Sequence, residues 1–178
     1  TVTFSNGMIT YTPPLNYSGS DSFSYTIVDN GTSRGVADPQ STTGTINLTI
    51  ADTNTPPRPG ADSLTTVERT PNNGTASTIS RPTTFFLAND IPSLVPDPTE
   101  AGQTLTITGV SATSARGGSV TLSGGQITYV PALNFNGTDT FTYVVRDNGS
   151  PAQSSTGTVT VTVTSVNDAP TVARPLGS

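Results

Sequence analysis

One stretch of this sequence occurs twice, and the two copies lie 118 positions apart. Residues 1–31 align without a gap with residues 119–149, and 17 of the 31 positions are identical. After a shared Asp-Asn-Gly the first copy carries five extra residues, and the copies then realign at residues 43–46 and 156–159. Self-similarity at a fixed spacing is the signature of repeat proteins. We therefore expect a tandem array of related modules.

The second copy reads as a complete module at residues 56–167, with a linker or the start of another module at residues 168–178. Val159, Val161 and Val163 alternate with threonines, which is the side-chain period of a half-buried strand. Thr and Val favour pleated surfaces, and Gly and Pro supply turns. Seven segments of this kind are expected, at residues 62–67, 83–87, 104–111, 118–123, 126–130, 139–146 and 157–165. The pattern predicts an all-β fold, a seven-stranded Greek-key β-sandwich.

The first copy, residues 1–55, contains only the last four of these strands. They are expected at residues 1–4, 8–12, 22–28 and 44–51. Half a sandwich would expose its inner face and its strand edges. Two explanations remain open: the chain is cut from a longer array, or a neighbouring chain donates the missing strands, as in strand-complemented fibres.

Composition excludes several classes of function. The chain has no His and no Cys, so the usual zinc ligands, a cysteine nucleophile and the commonest general base are absent. Its net charge is −5 and it has no basic face, which argues against nucleic-acid binding. No apolar run approaches the ~18 residues of a membrane helix, and any signal peptide is expected to lie outside this sequence. The acids fall in turns and linkers of a repeat, so we do not expect an enzyme.

Several motifs together resemble cadherin repeats. Residues 144–151 read VVRDNGSP, a Ser-Thr strand follows, and residues 166–170 read VNDAP. These are similar to the cadherin Ala-x-Asp-x-Gly-x-Pro segment and its Asn-Asp-x-Ala-Pro boundary. The LAND segment at residues 87–90 and the Tyr-to-Tyr segment at residues 129–143 resemble bacterial cadherin-like tandem repeats. The resemblance covers nearly the whole chain, and only the combination of motifs is specific.

The resemblance implies a cadherin/Ig-like sandwich from a bacterial extracellular or cell-surface protein. Such repeats serve as adhesin stalks, as fibre components or as accessory modules beside polysaccharide-degrading enzymes, and Ca²⁺ typically stiffens their linkers. We therefore expect a structural or adhesive module, with neighbouring repeats or other copies of the chain as partners. Polysaccharide binding is the alternative, and it would need an exposed row of aromatic side chains.

The same resemblance predicts a Ca²⁺ site where the two modules meet. Three regions should converge there: the linker, the loop after the second strand and the Asp-x-Gly loop. Carboxylates that close would repel one another without a cation, and Ca²⁺ takes six to eight oxygen ligands. The opposing interpretation is that Asp-Asn-Gly is ordinary turn chemistry. The candidate ligands are Asp52, Asn54, Asp90, Asp97 or Glu100, and Asp147.

Departures from the family pattern weaken this prediction. Thr55 and Ser165 stand where the pattern expects Asp, and residues 90–103 have lost at least two carboxylates of an acidic run, so the site is expected to be weak or vestigial. Glu68 resembles the base glutamate of a cadherin repeat. It would pair with Asn167 and Asp168 at the far end, where a following module would complete the site.

Aromatic side chains are assigned mainly to the core. Tyr11 and Tyr25 of the first copy recur as Tyr129 and Tyr143 of the second, which indicates core positions and not a sugar-binding platform. The adjacent Phe85 and Phe86 break the alternation, so one of the two is expected to face outward.

Overall fold

Two compact units divide the chain in the computed structural model, which describes residues 1–71, 77–93 and 99–167. The first unit is Thr1–Thr53, and the second begins at Asn54. The two units are described separately below.

The first unit is built from antiparallel ladders. Its strands are β1 Val2–Ser5, β2 Met8–Tyr11, β3 Gly19–Val28, β4 Thr32–Ser33, β5 Val36–Ala37 and β6 Ser41–Ile50. Strand β1 pairs with β2, β3 pairs with β6 over ten positions, and β4 and β5 form a small hairpin. That hairpin lies in the region where the first copy carries its extra residues.

The second unit contains two facing sheets. Its strands are β7 Asp62–Val67, β8 Ile79–Pro82, β9 Thr106–Val110, β10 Ser119–Ser123, β11 Gln126–Val130, β12 Gly137–Arg146 and β13 Ser154–Thr164. One sheet has the strand order β10–β11–β8, and the other has the order β7–β13–β12–β9, in which β7 is parallel to β13. The expected all-β sandwich is therefore confirmed.

The core of the second unit follows the alternation read from the sequence. In β13 the valines are buried and the threonines between them are exposed. In β12 every second residue from Asp139 to Val145 is buried, and all of these except Asp139 are apolar. The buried rings of Tyr129 and Phe141 stack with their centroids 5.9 Å apart. The core consists of Leu64, Ile79, Phe86, Ile107, Val120, Ile127, Tyr129, Phe141, Tyr143, Val145, Val159, Val161 and Val163.

The predicted strand at residues 83–87 is wrong. The second strand of the module lies earlier, at Ile79–Pro82, and a helical turn α1, Thr83–Phe86, follows it and continues as a 3₁₀ turn, Leu87–Asn89. A strand would turn adjacent phenylalanines to opposite faces. The helical turn instead seats Phe86 in the core at 0% exposure and leaves Phe85 41% exposed, where Arg81 lies over its ring. The expectation that one of the pair faces outward is confirmed.

The inner face of the first unit is uncovered, although its residues match the core of the second. Val2 is 46% exposed and Ile9 is 39% exposed, whereas their counterparts Val120 and Ile127 are each 2% exposed. An open groove of about 370 Å³ lies between the strands and is lined by Val2, Phe4, Ile9, Phe23, Ser24, Tyr25 and Thr26. The same sequence pattern is thus buried in one unit and exposed in the other. In the second unit β7, β8 and β9 contribute Leu64, Ile79 and Ile107 to the core that buries it.

Candidate metal centre

Asn54, the first residue of the second unit, ties the linker to two loops. Its Nδ2 donates hydrogen bonds to Asp147 Oδ1 at 3.1 Å and to the carbonyl of Pro151 at 2.9 Å. Its Oδ1 accepts a hydrogen bond of 2.7 Å from Gln103 Nε2. The side chain is buried, so one amide holds together three segments that are far apart in the sequence.

Asp147 follows β12 and uses its two carboxylate oxygens differently. Oδ1 accepts hydrogen bonds from the backbone N–H groups of Gly149 at 3.0 Å and Gln153 at 2.8 Å, besides the one from Asn54. This confirms the turn chemistry of the Asp-Asn-Gly segment. Oδ2 is buried and has no hydrogen-bond partner. One oxygen therefore braces the turn, and the other is left free for a further ligand.

Glu100 is fully buried beside the linker. Its Oε1 accepts from the Thr55 backbone N–H at 2.5 Å, and its Oε2 accepts from the Thr55 hydroxyl at 2.7 Å. Thr55 stands where the family pattern has an aspartate. A hydroxyl thus pairs with the glutamate at a position where a second carboxylate would have repelled it.

Gln103 supplies a second unpartnered oxygen. Its Nε2 is used by Asn54, but its Oε1 is buried without a hydrogen-bond partner. Buried polar atoms in native proteins are nearly always satisfied, and each exception calls for an explanation such as an ion or an ordered water. Two such oxygens, on Asp147 and on Gln103, both belong to side chains that bond Asn54.

Carboxylate and amide oxygens are the ligands that Ca²⁺ prefers. Of the side chains bonded to Asn54, Asp147 offers a carboxylate oxygen and Gln103 an amide oxygen without a partner, and Glu100 adds a carboxylate at the next linker residue, where both of its oxygens accept from Thr55. Among the described residues no three acidic side chains come together in a group that could hold a metal ion. The donor set therefore suits Ca²⁺ in chemical type, but it is poorer in charge than the four or five carboxylates that the sequence predicted.

Asp90 does not join the contacts of this cluster as the sequence suggested. It accepts a hydrogen bond of 2.7 Å from the Gly60 N–H, and the Tyr143 hydroxyl lies 3.0 Å from both of its oxygens. The 3₁₀ turn before Asp90, which sequence reasoning missed, sets this placement. Asp52 belongs to the first unit, and Asp97 lies outside the described residues.

The far end of the second unit carries the other predicted ligand set. Glu68 is buried, and its Oε2 accepts from the Val166 N–H at 3.3 Å and from Asn136 Nδ2 at 3.4 Å. Asn167 is exposed, and Asp168 lies outside the described residues. The glutamate therefore joins the end of the last strand to the β11–β12 loop.

Sequence reasoning missed two polar side chains beside the cluster. Gln103 bonds Asn54, and Asn148 Oδ1 accepts a hydrogen bond of 2.8 Å from the Thr104 N–H. Neither is acidic, so a search for carboxylates passes over them. The Asp-Asn-Gly motif did contain Asn148, but the motif indicated only a turn.

The family of the chain follows from matches to known domains. The family model of the bacterial cadherin-like domain matches residues 54–165, which is most of the chain and nearly all of the second unit. The chain belongs to the bacterial cadherin-like family. A second model, the bacterial Ig domain, matches residues 1–51. No curated protein matches the chain at a significant level.

Several solved cadherin structures resemble this bacterial cadherin-like chain. Protocadherin gammaB7 EC3–6 is 18% identical with a TM-score of 0.41, over 92% of this chain and 39% of its own. Protocadherin gamma C5 EC1–3 is 17% identical with a TM-score of 0.44, and the match covers 92% of this chain and 51% of that chain. Mouse cadherin-23 EC22–24 is 18% identical with a TM-score of 0.42, and the match covers 88% of this chain and 45% of that chain. The chain therefore spans about half or less of the length of these solved chains.

Domains of these two bacterial families are generally not enzymes and are typical of extracellular or surface proteins. Tandem cadherin-like domains interact with neighbouring repeats or other copies, and domains of this family typically bind Ca²⁺. Across the part of the chain that the structure describes, no helix has the length and apolar character needed to cross a bilayer. A structural or adhesive module agrees with the two family matches.

Proposed function

We propose that this chain is a non-enzymatic spacer or adhesive repeat of a bacterial extracellular or cell-surface protein, and that Ca²⁺ rigidifies its module boundary. The observation that carries the proposal is the cluster around Asn54, where the linker is bonded to the loop after β12 and to Gln103. Asp147 Oδ2 and Gln103 Oε1 are buried there without partners.

Ca²⁺ at this cluster would supply positive charge to two buried carboxylates. Asp147 and Glu100 would provide the charged ligands, and Asn54 and Gln103 would provide neutral amide oxygens. Because the linker and both loops would then share one ion, the start of the second unit would lose freedom to bend. With only two carboxylates, we expect an affinity near the ~10⁻⁴–10⁻³ M range of extracellular modules.

The first unit supports a role in an array or a fibre. Its exposed inner face carries the same residues that β7, β8 and β9 cover in the second unit. Strands with the pattern of β7–β9 would bury that face, whether they come from the same polypeptide or from another copy. The second unit offers no aromatic platform at its repeated tyrosines, since Tyr129 and Tyr143 are both 0% exposed, so polysaccharide binding has no support here.

Thermal melting of the full chain in EDTA and then across a Ca²⁺ series tests the calcium proposal. A metal that binds only the folded state stabilises it by RT ln(1 + [L]/Kd), which is about 2.7 kcal/mol at 100 times Kd. We expect a saturating rise in Tm for the native chain and a loss of most of that rise in Asp147→Asn.

Asp29→Asn is the matched control for this experiment. Asp29 is the repeat counterpart of Asp147, and its Oδ1 accepts from the Gly31 and Gln40 N–H groups in the same kind of turn. This variant should keep the calcium response of the native chain. A flat response of the native chain, or an undiminished response in Asp147→Asn, would reject a calcium-binding boundary.

A further inference from the structure

The open groove of the first unit corresponds to the place that Phe86 occupies in the second unit. Phe86 is 0% exposed, and the centroid of its ring lies 6.5 Å from that of Phe141 and 6.0 Å from that of Tyr143. The repeat counterparts of these two rings are Phe23 and Tyr25, and both line the groove. The groove is therefore a seat for an aromatic ring that the described residues of the first unit do not supply.

The aromatic framework of this seat is already in place. The rings of Tyr11 and Phe23 stack with their centroids 6.1 Å apart, and their counterparts Tyr129 and Phe141 do the same at 5.9 Å in the complete module. None of the described residues that line the groove is charged, so an apolar ring can enter without desolvating a charge. Because a preorganised site reduces the cost of ordering on binding, the first unit is well suited to accept a ring from outside.

The outer edge of β2 is a second feature that a partner would fill. In the second unit β11 pairs with β10 on one side and with β8 on the other, where Ile79 lies opposite Tyr129. Strand β2 is the counterpart of β11, and within the described part of the chain it pairs only with β1. An unpaired edge offers backbone N–H and C=O groups to an incoming strand. A strand of the β8 type would therefore complete a three-stranded sheet here.

A carboxylate completes the chemistry that the partner should carry. The Tyr143 hydroxyl lies 3.0 Å from both oxygens of Asp90, which follows Phe86 by four positions in the sequence. Tyr25, the counterpart of Tyr143, is 36% exposed, and its hydroxyl has no hydrogen-bond partner among the described residues. One segment with an aromatic ring and a carboxylate at this spacing would fill the groove and also bond the Tyr25 hydroxyl.

We propose that the inner face of the first unit binds a donor segment from another polypeptide chain, with the sequence pattern of residues 77–93. The donor segment pairs antiparallel with β2, seats an aromatic ring beside Phe23 and Tyr25, and brings a carboxylate to the Tyr25 hydroxyl. The chain's own residues 77–93 are engaged in the second unit, where Phe86 is buried, so the donor is a separate molecule. This inference rests on the proposed role in an array or a fibre, and it names the chemistry of the junction.

Titration of the isotope-labelled full chain with a synthetic peptide of residues 77–93, followed by two-dimensional NMR, tests this inference and detects even weak binding. Amide signals of β2 and of residues 23–26 should shift, and those of the second unit should stay in place. The peptide that carries Phe86→Ala should bind at least about tenfold more weakly, because it leaves the groove empty. The peptide that carries Asp90→Asn should bind about threefold or more weakly, because the Tyr25 hydroxyl loses a charged acceptor.

Ile9→Asp in the full chain should abolish the shifts by placing a charge in the groove, whereas Asn47→Asp, on the opposite face of β6, should preserve them. Unshifted signals in the first unit, or equal binding of the native and Phe86→Ala peptides, would refute the donor segment. A dimer in light scattering that the native peptide fails to dissociate would also refute it, since a second copy would then cover the face differently. The calcium boundary is tested by the response of Tm to Ca²⁺, so the two proposals fail separately.

Discussion

Tyr129 donates a hydrogen bond of 2.7 Å to Asp139 Oδ2, and both side chains are almost wholly buried. Asp139 also accepts from the Ser114 hydroxyl at 2.5 Å and from the Arg116 N–H at 2.8 Å, so it braces the turn before β10. The pair recurs 118 positions earlier, where Tyr11 bonds Asp21, and that hydrogen bond is the largest cause that raises the pKa of Tyr11 to about 12. The repeat thus preserves a specific polar contact as well as a hydrophobic pattern.

Replacing Tyr129 by phenylalanine should destabilise the second unit. The ring stays in the core, but Asp139 loses one donor in a buried setting, which costs about 1–3 kcal/mol. Urea unfolding of the full chain measures the loss. Tyr11→Phe is the matched control, and it should cost much less because its carboxylate partner is only half-buried and water can replace the donor. Equal losses in the two variants would contradict this account.

The stability of the second unit should fall in acid partly through Asp139. Burial alone would raise the pKa of Asp139, but hydrogen bonds from Ser114, Tyr129 and the Thr140 and Arg116 N–H groups together lower it. A lowered folded-state pKa contributes stability above the unfolded value of about 3.9, and that stability is lost as pH falls through the folded value.

Urea unfolding from pH 7 down to about pH 2.5 measures this contribution. The quantity compared is the gap in free energy of unfolding between the native chain and Asp139→Asn. The gap should be constant from neutral pH to about pH 5 and should shrink below it. A gap that widens in acid would show that the carboxylate is destabilising when ionised.

The strands were largely predictable because they alternate. In β12 and β13 one face is apolar and the other is rich in Thr and Ser, and a one-residue slip would expose the whole core face. The helical turn α1 was not predictable, since a short apolar run such as Phe85-Phe86-Leu87 fits a strand or a helix equally well. Only the packed core decides that Phe86 faces inward and Phe85 outward.

The candidate sites were predictable in part for a similar reason. Motif spacing brought Asn54, Glu100 and Asp147 into one prediction, since the family pattern places loops at the same end of the sandwich. Gln103 gave no such signal, because it is not acidic and belongs to no motif. Its place in the cluster depends on the hydrogen bond to Asn54, which is a long-range contact.

Ile127 and Ile9 are repeat counterparts that should respond differently to the same substitution. Ile127 is 2% exposed, so Ile127→Ala should cost about 2–5 kcal/mol through lost burial and a cavity. Ile9 is 39% exposed, so Ile9→Ala should cost much less. Urea unfolding of both variants makes the comparison within one chain. A large loss in Ile9→Ala would show that another molecule covers the first unit in solution, and light scattering would then reveal the assembly.

Gly157 lies opposite Tyr143 in the β12–β13 ladder, and the ring of Tyr143 occupies the space above it. A Cβ at Gly157 would lie 2.3 Å from the Tyr143 Cζ, and the repeat counterparts Gly44 and Tyr25 show the same close approach at 2.5 Å. Gly157→Ala must therefore displace a buried ring whose hydroxyl also bonds Asp90. Overpacking of this kind costs about 1–3 kcal/mol.

Gly109→Ala is the control for this steric argument. Gly109 also lies in a strand of the same sheet, but a Cβ there would meet nothing within 4 Å. Since glycine weakens a strand interior, Gly109→Ala should be neutral or slightly stabilising. The shifts in Tm of the two variants relative to the native chain should differ in sign or at least severalfold in size. Equal shifts in Tm would mean that strand propensity, and not the contact with Tyr143, explains why both repeats carry glycine at this position.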